Sequence, residues 1–151
     1  MVRYKIPPAL VIAADEQFSK IVPVGNWTMD ERGRSQVDLA GIDDKRGITF
    51  FPAFSGDLEL LGPQFIYAGT TSQCHPDMDF PDGYVISHSK NHWSNEDTCA
   101  EMIDLGLDPY CRKTRERLGL SEEQMAALYW DVFKSHLTKK ILELLKSRHI
   151  L

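Results

Sequence analysis

The sequence predicts an α/β domain, a mixed β-sheet with flanking helices. Three observations predict it. Two short apolar runs, each closed by an aspartate, read as core strands. A charged turn between two β-rich segments reads as an antiparallel pair. Capping patterns and an apolar stripe in the second half read as helices.

The first run is Ala9 to Ala14, closed by Asp15, with Pro7 and Pro8 leading into it. Ile21-Val22-Pro23-Val24 reads as a short edge strand, because proline removes a ladder donor. Gln36 to Ile42 and Ile48 to Phe54 read as strands around the turn Asp43-Asp44-Lys45-Arg46-Gly47. Leu60 to Tyr67 adds a strand interrupted by Gly62-Pro63. Residues 69 to 93 read as a long loop, punctuated by Pro, Gly and Asp, of the length used for function or as a lid. Ser94 and Asp97 form a capping pattern, and Gly106 reads as the stop of that helix. Asp108-Pro109 starts the next helix and Gly119 ends it. Ser121 to Gln124 repeats the capping pattern before the second apolar run, Met125 to Trp130, closed by Asp131. Leu137, Ile141, Leu144 and Leu145 form one apolar helical stripe, and His149-Ile150-Leu151 could open a further strand.

The 151 residues fit one domain, with 42% hydrophobic and 10% aromatic content, ordinary for a packed core. A net charge of -5 argues against general affinity for nucleic acid. Nine of the 17 Lys and Arg fall in the last third, which reads first as a solvated helix surface. Cys74, Cys99 and Cys111 are odd in number and widely spaced, which fits a reducing compartment better than a disulfide framework. No stretch approaches the roughly 20 apolar residues of a membrane span, so no membrane partner is expected.

Asp15 and Asp131 carry the chemistry this pattern suggests. An acid at the carboxyl end of a core strand leaves the core at the edge where open α/β sheets bind ligands. If the two strands are parallel neighbours, the carboxylates share one site suited to a hard divalent cation such as Mg²⁺. The alternative for each is a helix cap or turn former.

The predicted order is strand, antiparallel strands, helices, strand, helix, which is that of a ribonuclease H-like domain up to its fourth core strand. Several blocks then resemble the DDE superfamily endonuclease domain, most closely the pogo-like branch of the mariner group, with centromere protein B and jerky-type relatives. They are Val11-Ile12-Ala13-Ala14-Asp15-Glu16-Gln17, Val24-Gly25-Asn26-Trp27-Thr28-Met29 and Gly41-Ile42-Asp43-Asp44-Lys45-Arg46-Gly47-Ile48-Thr49. To these are added Pro63-Gln64-Phe65-Ile66-Tyr67-Ala68-Gly69-Thr70, His88-Ser89-Lys90-Asn91-His92-Trp93-Ser94-Asn95-Glu96 and Tyr129-Trp130-Asp131-Val132-Phe133-Lys134. Together they span nearly the whole chain in the family's order.

The resemblance implies a ribonuclease H-like mixed sheet in which the first and fourth core strands are neighbours. It matches Asp15 to the first catalytic acid and Asp131 to the second, both as ligands of Mg²⁺ or Mn²⁺. The implied chemistry is two-metal phosphoryl transfer on DNA in the nucleus, and the full-length family is expected to form homodimers. The family's third acid lies on a later helix and matches no residue here; Glu143 belongs to the helix directly after Asp131 and does not take that role. The family's helix-turn-helix region precedes the catalytic domain and also matches nothing here. Residues 1–151 are therefore expected to be a partial endonuclease domain, incomplete at its C-terminus and inactive as this chain. The alternative is a domesticated or decayed nucleic-acid- or protein-binding domain without catalysis. A phosphate-handling protein using Asp131 alone is weaker, because Asp15 to Ser19 contains no glycine for a phosphate loop.

Other residues offer chemistry. Cys74, His75, His88 and His92 are zinc-ligand types, and His88 and His92 have the spacing of one helical face. Adjacent Cys74 and His75 should point apart on extended chain, however, so these four read as loop-packing residues near the active edge. His136 reads as a polar residue on the first turn of the last helix, with a phosphate contact as the alternative. Trp27, Trp93 and Trp130 suggest base stacking, with Trp130 reading first as core and Trp93 as either, and Lys45 and Arg46 read as turn residues within reach of a DNA backbone.

Overall fold

The computed structural model describes residues 5–21, 29, 31–35 and 46–151. Pro8–Leu10 forms a single 3₁₀ turn that feeds the first strand, β1 (Val11–Ala14). Ile12 and Ala14 face the core. The chain passes Asp15 and Glu16 and resumes as β2 (Gln17–Lys20). The next two strands, β3 (Gly47–Phe51) and β4 (Ala53–Ser55), are separated by Pro52 alone. β4 runs antiparallel to β1, with Ala14 opposite Ala53, and β3 runs antiparallel to β2, with Gln17 opposite Phe50. The register is the same on both sides of the break. Pro52 has no N–H to donate, and its carbonyl receives only a long bond, 3.4 Å, from the Asp15 amide. The ladder therefore opens beside Asp15.

β5 (Gln64–Ala68) joins β3 antiparallel, and β6 (Val85–Ser89) joins β5 in parallel. On the other side, β7 (Ala127–Tyr129) lies parallel to β1. Two sheets result, with orders β4-β1-β7 and β2-β3-β5-β6, continuous through the segments that flank Asp15 and Pro52. Ile150 bridges Ala126 in parallel, so the end of the chain begins a further rung beside β7.

The helices come from α1 (Glu96–Glu101), which runs through a π-helical stretch, Met102–Leu107, into α2 (Asp108–Arg117). Asn95 caps α1: its side chain accepts from the amides of Asp97 and Thr98 at 2.9 and 3.0 Å, and the Asn95 amide donates to the Thr98 hydroxyl at 2.9 Å. Met102, Ile103, Leu107 and Cys111 are fully buried along the inner face. Gly119, at φ +63°, reverses the chain after α2. After β7, a 3₁₀ turn (Lys134–Leu137) leads into α3 (Lys139–Ser147), capped by Thr138. Ile141 and Leu145 of α3 join Leu10, Ile12, Phe51 and Met102 in one core. Each fully buried aliphatic side chain contributes about 1.5–3 kcal/mol.

Several local expectations change. The edge strand over 21–24 and the first hairpin strand over 36–42 lie largely or wholly outside the described residues, as do Trp27 and Lys45. Among described residues, β3 pairs with β5 and with β2, and β2 covers residues that carry no strand expectation. The 69–93 segment holds β6 within it. The cap of α1 is Asn95 rather than Ser94, with Thr98 rather than Asp97 completing the box. Gly106 stops nothing: apolar residues continue on the buried face, and the π-helical stretch carries the chain through it. Leu137 lies ahead of α3 and is half exposed, while Ile141, Leu144 and Leu145 pack inward as expected.

Candidate active site at the ends of the parallel strands

β1 and β7 are adjacent and parallel, with Ala13 opposite Tyr129. Asp15 and Asp131 each lie two residues beyond that pair, at the carboxyl ends of neighbouring strands. Both are exposed. One Asp15 oxygen accepts the Glu16 amide at 2.9 Å, which leaves the other oxygen to solvent.

Between the two strand ends stands His136, on the turn before α3, only 1% exposed. Its Nε2 lies 3.2 Å from Glu16 Oε1, and its Nδ1 lies 3.0 Å from Asp131 Oδ1 and 3.1 Å from the Asp131 carbonyl. Both nitrogens thus face acceptors, an arrangement only the doubly protonated ring satisfies with two donors. Burial opposes that charge, but the neighbouring Cys99 sulfur, Glu16 carboxylate and Asp131 carbonyl outweigh it and push the imidazole up to about 10. Trp130 stacks on the ring at 4.1 Å and 7°, and Phe133 meets it edge-on at 5.7 Å. The indole face adds cation–π attraction. His136 thus ties the segment after β1 to the segment after β7 and orients the Asp131 carboxylate. It lies on the 3₁₀ turn ahead of α3 rather than on the first turn of that helix, and it is buried. Its aromatic neighbours in the sequence, Trp130 and Phe133, were the available signal for a buried imidazole.

A cavity of about 430 Å³ opens beside Glu16, lined by Phe18, Thr49, His92, Trp93 and Phe133 among others. Trp93 is 59% exposed, and His92 stacks on Phe18 at 4.9 Å. The other expected features distribute differently. Arg117, Lys139, Lys140 and Arg148 pair with acids, and Arg115 is buried against the carbonyls of Gln124, Arg148 and His149. Glu143 is an exposed partner of Lys139 on α3.

The four zinc-type residues separate into three and one. His92 lies by the aromatic cleft, 3.4 Å from the Thr49 hydroxyl. Cys74, His75 and His88 instead converge at the outer strand β6, away from the aspartates. The expectation that Cys74 and His75 point apart fails because Ser72–Cys74 forms a 3₁₀ turn rather than extended chain.

No protein-family model matches the sequence, and no curated protein matches it. Among solved structures, the chain resembles one described as the crystal structure of a pre-cleavage Mos1 transpososome. The TM-score is 0.57 at 12% identity, over 99% of this chain and 37% of that one. At that identity the likeness is one of fold. It agrees with the mixed, ribonuclease H-like sheet with flanking helices. The chain spans little more than a third of the length of that structure's chain.

Proposed function

We propose that this chain is the ribonuclease H-like core of a transposase-derived DDE endonuclease, of the pogo-like branch with centromere protein B and jerky-type relatives. Asp15 and Asp131 are its metal ligands, DNA is its partner, and the nucleus is where it acts. Homodimerisation belongs to the longer proteins of this type. The observation that supports the reading is the β1–β7 register, in which Asp15 and Asp131 each follow by two residues the paired Ala13 and Tyr129, at the same end of a parallel pair.

The donor set fits Mg²⁺ or Mn²⁺. Both side chains are exposed hard-oxygen ligands on rigid strand ends, and each has one oxygen engaged within the protein. Divalent ions bound there would polarise the scissile phosphate and stabilise charge on the attacking and leaving oxygens. The chain's own contribution is positioning. His136 holds one Asp131 oxygen, so the other is directed outward, and the same ring fixes Glu16 beside β1. The Pro52 break exposes Asp15 at a point where an unbroken ladder would bury its backbone. The cleft with exposed Trp93 supplies an aromatic surface beside the acids, of the kind that stacks nucleobases.

A second reading, binding without turnover, is favoured by the placement of other acids. Glu16 is held by His136 and Glu143 by Lys139, so neither completes a carboxylate triad with the pair. Plasmid nicking in Mn²⁺, run alongside DNA gel retention, separates the two. The endonuclease reading expects nicking that Asp15→Asn and Asp131→Asn abolish while DNA retention persists. Retention with no nicking by the parent protein supports the binding reading. Neither retention nor nicking contradicts both.

A further inference from the structure

Cys74, His75 and His88 bring one sulfur and two imidazole nitrogens within 4.8 Å of one another. His75 Nε2 lies 3.0 Å from His88 Nδ1. Tetrahedral zinc sets two imidazole nitrogens about 3.3 Å apart and a thiolate about 3.6 Å from each. The three side chains therefore need only small rotations to close on one ion.

The backbone builds this cluster. Within the turn, the Cys74 amide donates to the Thr71 carbonyl at 3.2 Å and the His75 amide to the Ser72 carbonyl at 3.0 Å. The Gly69 amide donates to the Ser89 carbonyl at 2.8 Å, fixing the start of the loop to β6. A Cβ on Gly69 would stand 2.5 Å from the Cys74 sulfur, so only glycine leaves the thiol its place. His88 sits on β6 opposite Tyr67, whose ring lies 5.9 Å from that of His75.

We propose that Cys74 Sγ, His75 Nε2 and His88 Nδ1 form a zinc site that fastens the 69–75 loop to the edge strand β6. Sulfur and imidazole donors select zinc over Mg²⁺, which takes oxygen ligands. Zinc replaces the thiol proton, which passes to solvent; the imidazole that donates the shared hydrogen shifts that proton to its other ring nitrogen, so both rings ligate as neutral imidazoles, and water takes the fourth position. The site closes the outer side of the sheet, where β6 has one sheet neighbour among the described strands. It is independent of Asp15 and Asp131, which end strands at the other side of the sheet.

The test is cobalt titration of the chelator-treated chain, followed by absorption and by zinc displacement. One equivalent should give tetrahedral d–d bands with a thiolate-to-cobalt charge-transfer band, and zinc should remove both. Cys74→Ser should lose the charge-transfer band, and His75→Gln and His88→Gln should each weaken cobalt at least about tenfold. Asp15→Asn should leave the spectrum unchanged, so failure of the endonuclease reading would not be confused with failure of this one. Absence of a thiolate band in the folded parent protein overturns the proposal. So does a band that survives in Cys74→Ser. Should that variant not fold, unchanged cobalt affinity in His75→Gln, a half-buried position at the end of the turn, overturns it equally.

Discussion

His136 presents Nε2 to Glu16 and Nδ1 to Asp131 from inside a wall made by Trp130 and Phe133. Removing the ring forfeits two charge-assisted contacts and opens a void against the indole. Both acids keep access to water, Glu16 at 23% and Asp131 at 57% exposure, so the loss is well below that of a sealed ion pair. His136→Ala should cost about 1–3 kcal/mol in urea unfolding. It should also loosen metal binding at Asp131 while leaving both aspartates in place. A variant as stable as the parent would mean that the ring does not join the strand ends. Trp130 and Phe133 signal a buried ring, but its partner is not legible from the sequence, because the His136–Glu16 contact joins residues 120 positions apart. Spacing along the chain cannot report a contact made only once β1 and β7 are neighbours. The aspartates were legible as strand-end acids; their pairing rested on resemblance.

At the scale of elements, the sequence was clearest where one periodicity acts alone. β1 and β7 are short apolar runs, and α3 carries its apolar stripe at Ile141, Leu144 and Leu145. β6 reads as loop in the sequence because two of its three inward positions, Ser87 and Ser89, are polar. Ser87 is buried and accepts from Gln64 Nε2 at 2.8 Å, while the same amide donates to the Thr98 carbonyl at 2.8 Å. A strand that buries serines, one of them bonded across the seam to a glutamine of its neighbour β5, lacks the apolar alternation by which strands are recognised. The start of this seam depends on Gly62, whose added Cβ would lie 2.0 Å from the Gly83 carbonyl oxygen. Both partners are backbone, so neither yields by a side-chain rotation. Gly62→Ala should therefore lower stability by about 1–3 kcal/mol, read from the thermal or urea midpoint. An unchanged midpoint would show that the close approach of the β5 and β6 leaders is dispensable.

On the scale of the whole molecule, the order of elements was more legible than any single site. Strand, antiparallel partners, helices, parallel strand and helix recur in the structure, and Ile150 begins the rung expected at the chain's end. Parallel pairing of β1 with β7 puts Asp15 and Asp131 at the same end of neighbouring strands, and the Pro52 break opens the ladder beside Asp15. The two sheets separate two kinds of donor: carboxylates after β1 and β7 in one, and sulfur with imidazole at β6 in the other. This division means that oxygen-loving and sulfur-loving metals should address different ends of one molecule. Isothermal titration of Mn²⁺ into the parent protein and into Asp15→Asn and Asp131→Asn tests the carboxylate pair most directly. A shared site predicts that each substitution weakens Mn²⁺ about tenfold or more while both variants keep the parent's unfolding midpoint within about 0.5 kcal/mol. Equal Mn²⁺ affinity in all three proteins would contradict it and leave the two aspartates as ordinary strand ends.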